Sequence, residues 1–141
     1  MAVEIADIRA GLATNLETVA ESRQVSAYPL TAPTPPSLLV MGFDKIVRTG
    51  FGTRSGGGSF EIPFLIQGVA GKATDKGAHI RLDKWLSPFA ALNVWRAIES
   101  DPTLGGTVSS LAVTECDGYQ HITVAPGVEY LGSTWHVQIE L

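Results

Sequence analysis

The chain has 141 residues, 45% of them apolar and 17% charged, with a net charge of −4. That length supports one hydrophobic core rather than two, and the composition is that of a folded protein rather than a disordered one. The negative net charge argues against the whole chain being a nucleic-acid binder. The single Cys116 excludes an intrachain disulfide and a thiol metal cluster, and fits a cytosolic folding environment.

The N-terminus carries early acids, Glu4 and Asp7, and no long apolar stretch, so it is not expected to be a signal peptide. No apolar run approaches the roughly 18 residues of a membrane span, so a soluble protein without a membrane partner is expected. Charge is segregated along the chain. Residues 1–44 hold two Lys or Arg and five Asp or Glu, residues 45–96 hold eight and three, and residues 97–141 hold none and six. Such segregation suits complementary self-association or stacking on a partner.

In chain order, Ile5, Ile8, Leu12, Leu16 and Val19 recur every three or four residues and predict an amphipathic helix over 4–22. Residues 25–28 predict a short strand. Four prolines between 29 and 36 predict an extended crossing. Residues 37–41 read as a central strand that continues irregularly to Arg48. Five glycines fall between 50 and 58, where ordering is entropically expensive. Phe60, Ile62, Phe64 and Ile66 then alternate with Glu61, Pro63, Leu65 and Gln67, which predicts a strand with one buried face. Pro63 lacks the ladder donor, so an edge or bulged strand is expected there.

Thr74 is the expected N-cap of a helix over 75–86, with Ala78, Leu82, Trp85 and Leu86 on its apolar face. A second short helix is expected at 93–100. Strands follow at 107–116 and 119–124, joined through Asp117-Gly118 as a type I′ hairpin, and a last strand at 134–141. The whole is read as a single α+β domain over 1–141. A mixed, mainly antiparallel sheet is packed by an N-terminal helix and a central helix pair, with a Gly-rich hairpin arm at 48–59.

Chemistry finds little support. Gly68-Val69-Ala70-Gly71-Lys72-Ala73-Thr74 imitates a phosphate loop, yet Ile66 stands where a glycine is needed and Ala73 where Ser or Thr would bind magnesium. His79, His121 and His136 lack metal-ligand spacing. His79 and Asp83 are placed to pair across a helical turn. Cys116 with His121 is the one conceivable nucleophile and base, but Cys116 lies in an apolar strand, where a buried, inert thiol is the ordinary state. Trp85, Trp95 and Trp135 fall on apolar faces and read as core. No catalytic, metal-binding or cofactor-binding residue is nominated, and the chain reads as a non-enzyme. Arg48, Arg54, Lys72 and Lys76 are expected to form a basic stripe near the hairpin.

Leu82-Asp83-Lys84-Trp85-Leu86, Thr103-Leu104-Gly105-Gly106-Thr107-Val108 and Tyr130-Leu131-Gly132-Ser133-Thr134-Trp135-His136-Val137, in this order of elements, resemble the tail terminator (tail-to-head joining, neck) proteins of long-tailed bacteriophages. The resemblance spans nearly the whole chain. It implies a virion protein, made in the host bacterial cytoplasm, that forms a six-membered ring on the last ring of the tail tube. Its partners would be its own copies, the tail tube protein and the head-tail connector or stopper, with DNA only as passing cargo in the lumen. On this expectation, Arg48, Phe51, Thr53, Arg54, Ser55, Phe60, Glu61, Lys72 and Lys76 are interface candidates. Glu115, Asp117 and Glu129 would be lumen- or head-facing acids. Two alternatives stand beside it: a head-side stopper or tail-completion protein, and a small α+β domain binding an anion or another ligand at the 68–74 turn.

Overall fold

A computed structural model describes residues 4–19, 22–29, 34–50, 59–89, 93–125 and 127–141. Helix α1 (Ile5–Leu16) places Ile8, Leu12 and Leu16 in the core, as their spacing predicts. The Asp7 carboxylate accepts from the Glu4 amide at 3.0 Å, closing the first turn. Arg9, on the helix flank, donates to the carbonyls of Ala27 (2.8 Å) and Val40 (3.0 Å) and lies over the Tyr28 ring, tying α1 to the first two strands.

Those strands are β1 (Gln24–Ser26) and β2 (Ser37–Phe43), paired in parallel. Then follow β3 (Val47–Gly50), β4 (Ser59–Lys72), β5 (Ser110–Cys116), β6 (Gln120–Ala125) and β7 (Val128–Glu140). The sheet path is β1-β2-β4-β7-β5, with β3 also on β4 and β6 also on β7. The long strands β4 and β7 lie side by side at its centre. β2 and β3 run end to end along the free side of β4, interrupted at 44–46. β5 and β6 run end to end along the free side of β7, interrupted at 117–119.

Helices α2 (Lys76–Leu86) and α3 (Val94–Ile98) join α1 over one face of this sheet. Their apolar residues form one cluster with Ile62, Phe64 and Ile66 of β4 and Trp135, Val137 and Ile139 of β7. Asn15 fastens the helix layer. It is buried, and its Nδ2 donates to the carbonyls of Ile98 (2.8 Å), which ends α3, and Asp101 (3.1 Å), just past it. The architecture is α+β, as expected.

Several local expectations are corrected. β4 is not an edge strand: β2 and β3 flank one side and β7 the other. Pro63 is tolerated there because β2 ends opposite Phe64 and β3 begins opposite Glu61, leaving Pro63 without a register partner on that side. Asp117-Gly118 does not turn a hairpin, since β5 and β6 pair with β7 and not with each other. The α2 cap is Asp75, whose side chain accepts from the Gly77 amide, and not Thr74. Helix α3 stops at Ile98, and β5 starts only at Ser110. Between them Leu104 (φ 50°), Gly105 and Gly106 all take positive φ in a turn whose Gly105 amide donates to the Asp101 carboxylate. Leu104 is buried there against Gly11 of α1.

Candidate functional site

The hairpin that carries the glycine-rich segment is formed by β3 and β4, with Val47 opposite Glu61, Arg48 opposite Phe60 and Gly50 opposite Ser59. The guanidinium of Arg48 sits 5.1 Å from the centre of the Phe60 ring, shielding a side chain that would otherwise face water. Just before β3, Lys45 and Ile46 are exposed, and Val47 is exposed at its start, with Ile46 at 47% of its full accessibility. The outer edge of β3 has no strand partner among the described residues. β4 therefore has no open edge, whereas β3, like β1, β5 and β6, pairs on one side only among the described residues. Phe51, Thr53, Arg54 and Ser55, with the rest of the 51–58 tip, lie outside the described residues.

The expected basic stripe is not one patch. Arg48 is level with Phe60 at one end of β4, and Lys72 closes the other end, twelve residues on. At about 3.3 Å per residue that is roughly 40 Å. Lys76 stands beyond it, in the first turn of α2.

The 68–72 segment is strand, not loop. Gly68, Val69, Gly71 and Lys72 are in register with Ser133, Gly132, Leu131 and Tyr130 of β7. The Ala73 amide donates to the Glu129 carbonyl at 3.0 Å. Backbone amides committed to a ladder cannot wrap a phosphate, so the resemblance to a phosphate loop ends at the sequence.

The three acids of interest divide. Glu115 is opposite His136 in the β5–β7 register, displaced by a bulge after Val113, and Asp117 follows in the next connection. The imidazole of His136 has Asp117 at 2.8 Å from Nε2 and Glu115 at 3.7 Å from Nδ1. The donor atoms of all three lie within 4.8 Å of one another. The carboxylates take opposite ring nitrogens, however, so the arrangement orients the ring rather than offering one nitrogen and two carboxylates to a common ion. Sequence reasoning missed this group because it depends on cross-strand register, which no local spacing encodes. Glu129 is elsewhere, 3.5 Å from His121 on neighbouring β6.

The remaining polar candidates have other partners. His79 does not pair with Asp83; its Nε2 lies 2.9 Å from the Ala73 carbonyl. Asp83 instead accepts from the hydroxyl of Tyr119, in the β5–β6 connection. That hydrogen bond, with smaller contributions from desolvation and the Asp83 charge, raises the Tyr119 phenol above its ordinary value of 10.0. Cys116 is half-buried rather than fully buried, with Sγ 3.1 Å from Ser133 Oγ, while His121 is engaged with Glu129. The structure thus does not assemble a Cys116–His121 pair. Trp85 and Trp135 are fully buried, and Trp95 is half-buried with its Nε1 donating to the Leu86 carbonyl.

No family model matches this chain, and no curated protein matches it at a significant level. Among the described residues no helix is long and apolar enough to cross a membrane.

Proposed function

We propose that the chain is a structural subunit of a bacteriophage neck. In this reading it forms a ring of copies on the end of the tail tube, stops tube polymerisation, and presents the surface on which the head connector docks. DNA crosses the ring only as cargo, and the exposed Glu115 and Asp117 keep the surface they occupy unattractive to its phosphates.

The observation that carries this reading is the β3–β4 hairpin. Two paired strands deliver a glycine-rich tip to one end of the sheet, beside an unpartnered strand edge with exposed Ile46 and Val47. Such edges are normally covered, and a neighbouring subunit is a natural cover. Fixing backbone costs on the order of 1–2 kcal/mol per residue, a cost that a partner burying apolar anchors beside a glycine-rich segment would offset. Phe51, and Phe60 once Arg48 moves aside, would each supply about 1.5–3 kcal/mol on full burial.

The test is replacement of residues 52–58 by a two-residue turn. The variant folds, with unchanged thermal unfolding, but fails to yield tails of correct length joined to heads. Normal joined tails from the variant would refute the role of the arm. Negative-stain images of the purified protein, alone and with tail tubes, test the ring itself. Co-purification with tail tubes rather than head connectors separates a terminator from a head-side stopper.

A further inference from the structure

A cleft with a volume of about 420 Å³ opens where β4 gives way to α2, and three cations line it: Arg23, Lys72 and Arg81. Each is placed by a different element. Arg23 precedes β1, with its amide donating to the Pro36 carbonyl at 2.7 Å. Lys72 ends β4, in register with Tyr130, which also lines the cleft. Arg81 is on α2, where Nη1 donates to the Ala70 carbonyl at 2.8 Å and the buried Nε has no hydrogen-bond partner. Asp75 is the one acid in the lining, and its carboxylate is engaged in capping α2 through the Gly77 amide. Among the described residues, none of the three cations forms an ion pair with a carboxylate. Like charges gathered around a concave surface raise the local potential and attract a counter-ion.

We propose that this cleft binds a phosphate-class oxyanion, held by the side chains of Arg23, Lys72 and Arg81. Three cations lining one cleft, two of them guanidinium groups, match a multiply charged tetrahedral group better than a single carboxylate, which one of them would neutralise. The volume falls within the range of small-ligand pockets. The mode differs from a phosphate loop, because the backbone amides of 68–72 are spent in the sheet and side chains do the holding. The inference does not depend on ring assembly.

Calorimetric titration of the full chain with inorganic phosphate, pyrophosphate and acetate, at low ionic strength, tests it. Saturable binding at one site per chain is expected, with pyrophosphate at least as tight as phosphate and acetate much weaker. Arg23→Gln, at an exposed position, and Arg81→Lys, which keeps the charge but loses the fork, should each weaken pyrophosphate binding about tenfold, the worth of one charge-assisted hydrogen bond. Lys45→Gln removes the same charge at the break between β2 and β3 and should leave binding unchanged. Absence of saturable binding, an equal loss in Lys45→Gln, or acetate binding as tight as phosphate would each overturn the proposal.

Discussion

Adding one methyl group at Gly132 should damage this fold more than almost any other single-carbon change. Gly132 lies in β7 opposite Val69 of β4 and Gln120 of β6, and it is buried. A Cβ there would stand 2.2 Å from the Gly68 carbonyl oxygen and 2.6 Å from Ile122 Cδ1. Ile122 can change rotamer. The Gly68 carbonyl cannot withdraw without parting β4 from β7, and the gap must widen by about 1 Å to reach ordinary C···O contact. Over-packing of this kind costs about 1–3 kcal/mol, and each ladder hydrogen bond lost adds about 0.5–1.5 kcal/mol. Gly132→Ala should therefore destabilise by about 2–5 kcal/mol, lowering Tm by roughly 6–15 °C for a domain of this size. Urea denaturation should show a lower midpoint with an unchanged slope. Gly77→Ala is the contrast. Its Cβ would meet the Asp75 carboxylate, nearest at Oδ1 (3.3 Å), and the position lies in the first turn of α2. Alanine there should be neutral or stabilising by up to about 1 kcal/mol. A Gly132→Ala protein as stable as wild type, or costs equal at both sites, would refute this account of the β4–β7 contact.

Further outcomes follow from the polar contacts. Asn15→Leu strips the donor from the carbonyls of Ile98 and Asp101 and should cost about 1–3 kcal/mol by chemical denaturation. Asn15→Asp sets a carboxyl against the same two carbonyls, so only the protonated form can donate. Its folded pKa is raised, and the variant's deficit against wild type should be smallest below about pH 4 and grow as pH rises through that raised value. Tyr119 should be the late-titrating phenol in an ultraviolet pH titration, and Tyr119→Phe should abolish that late phase. Because its pKa is raised on folding, its contribution to stability is complete below the unfolded value of 10.0 and is lost as pH climbs through the folded one. Asp83→Ala, which removes both the acceptor and the charge, should return Tyr119 toward 10.0.

What could be read from the sequence follows the range of each signal. The apolar faces of α1 and α2, and the alternation of β4 and β7, are periodic within a few residues, and their buried sets match the structure closely. Strand partnership is not local. Asp117-Gly118 carries a strong hairpin signal, yet β7 runs 13 residues, long enough to pair β5 and β6 in succession. Tertiary pairing with that long strand overrides the turn preference of two residues. Pro63 failed as an edge marker for the same reason: whether a missing donor matters depends on what stands opposite, and there the neighbouring strand is interrupted. The His136 group, the separation of Arg48 from Lys72 and the cation-lined cleft all arise from register and from helix placement over the sheet. None has a spacing that the chain alone displays.

Two of the segments that carry the likeness to tail terminators prove to have demanding structural roles. Leu104-Gly105-Gly106 forms a turn with three successive positive φ values and a buried Leu104 beneath α1, and glycine at 105 and 106 meets such backbone without strain. In Tyr130-Leu131-Gly132, Gly132 lets β4 and β6 close on β7, while Leu131 fills the core. These patterns therefore speak for a way of building the sheet and its first helix. They would be required of any protein with this packing, whatever surface it presented. Whatever would distinguish the proposed tube-ending ring from another use of this scaffold must lie in groups the core does not need: the β3 edge, the 51–58 tip and the exposed acids Glu115 and Asp117. Changes there should spare stability while altering assembly, whereas changes at Gly132 or Leu104 should do the reverse, lowering stability without moving the affinity of whatever folded protein remains. Measuring unfolding and the proposed ring formation on the same set of variants separates the two, and a Gly132→Ala protein that keeps its stability but fails in that proposed assembly would refute this division between core and surface.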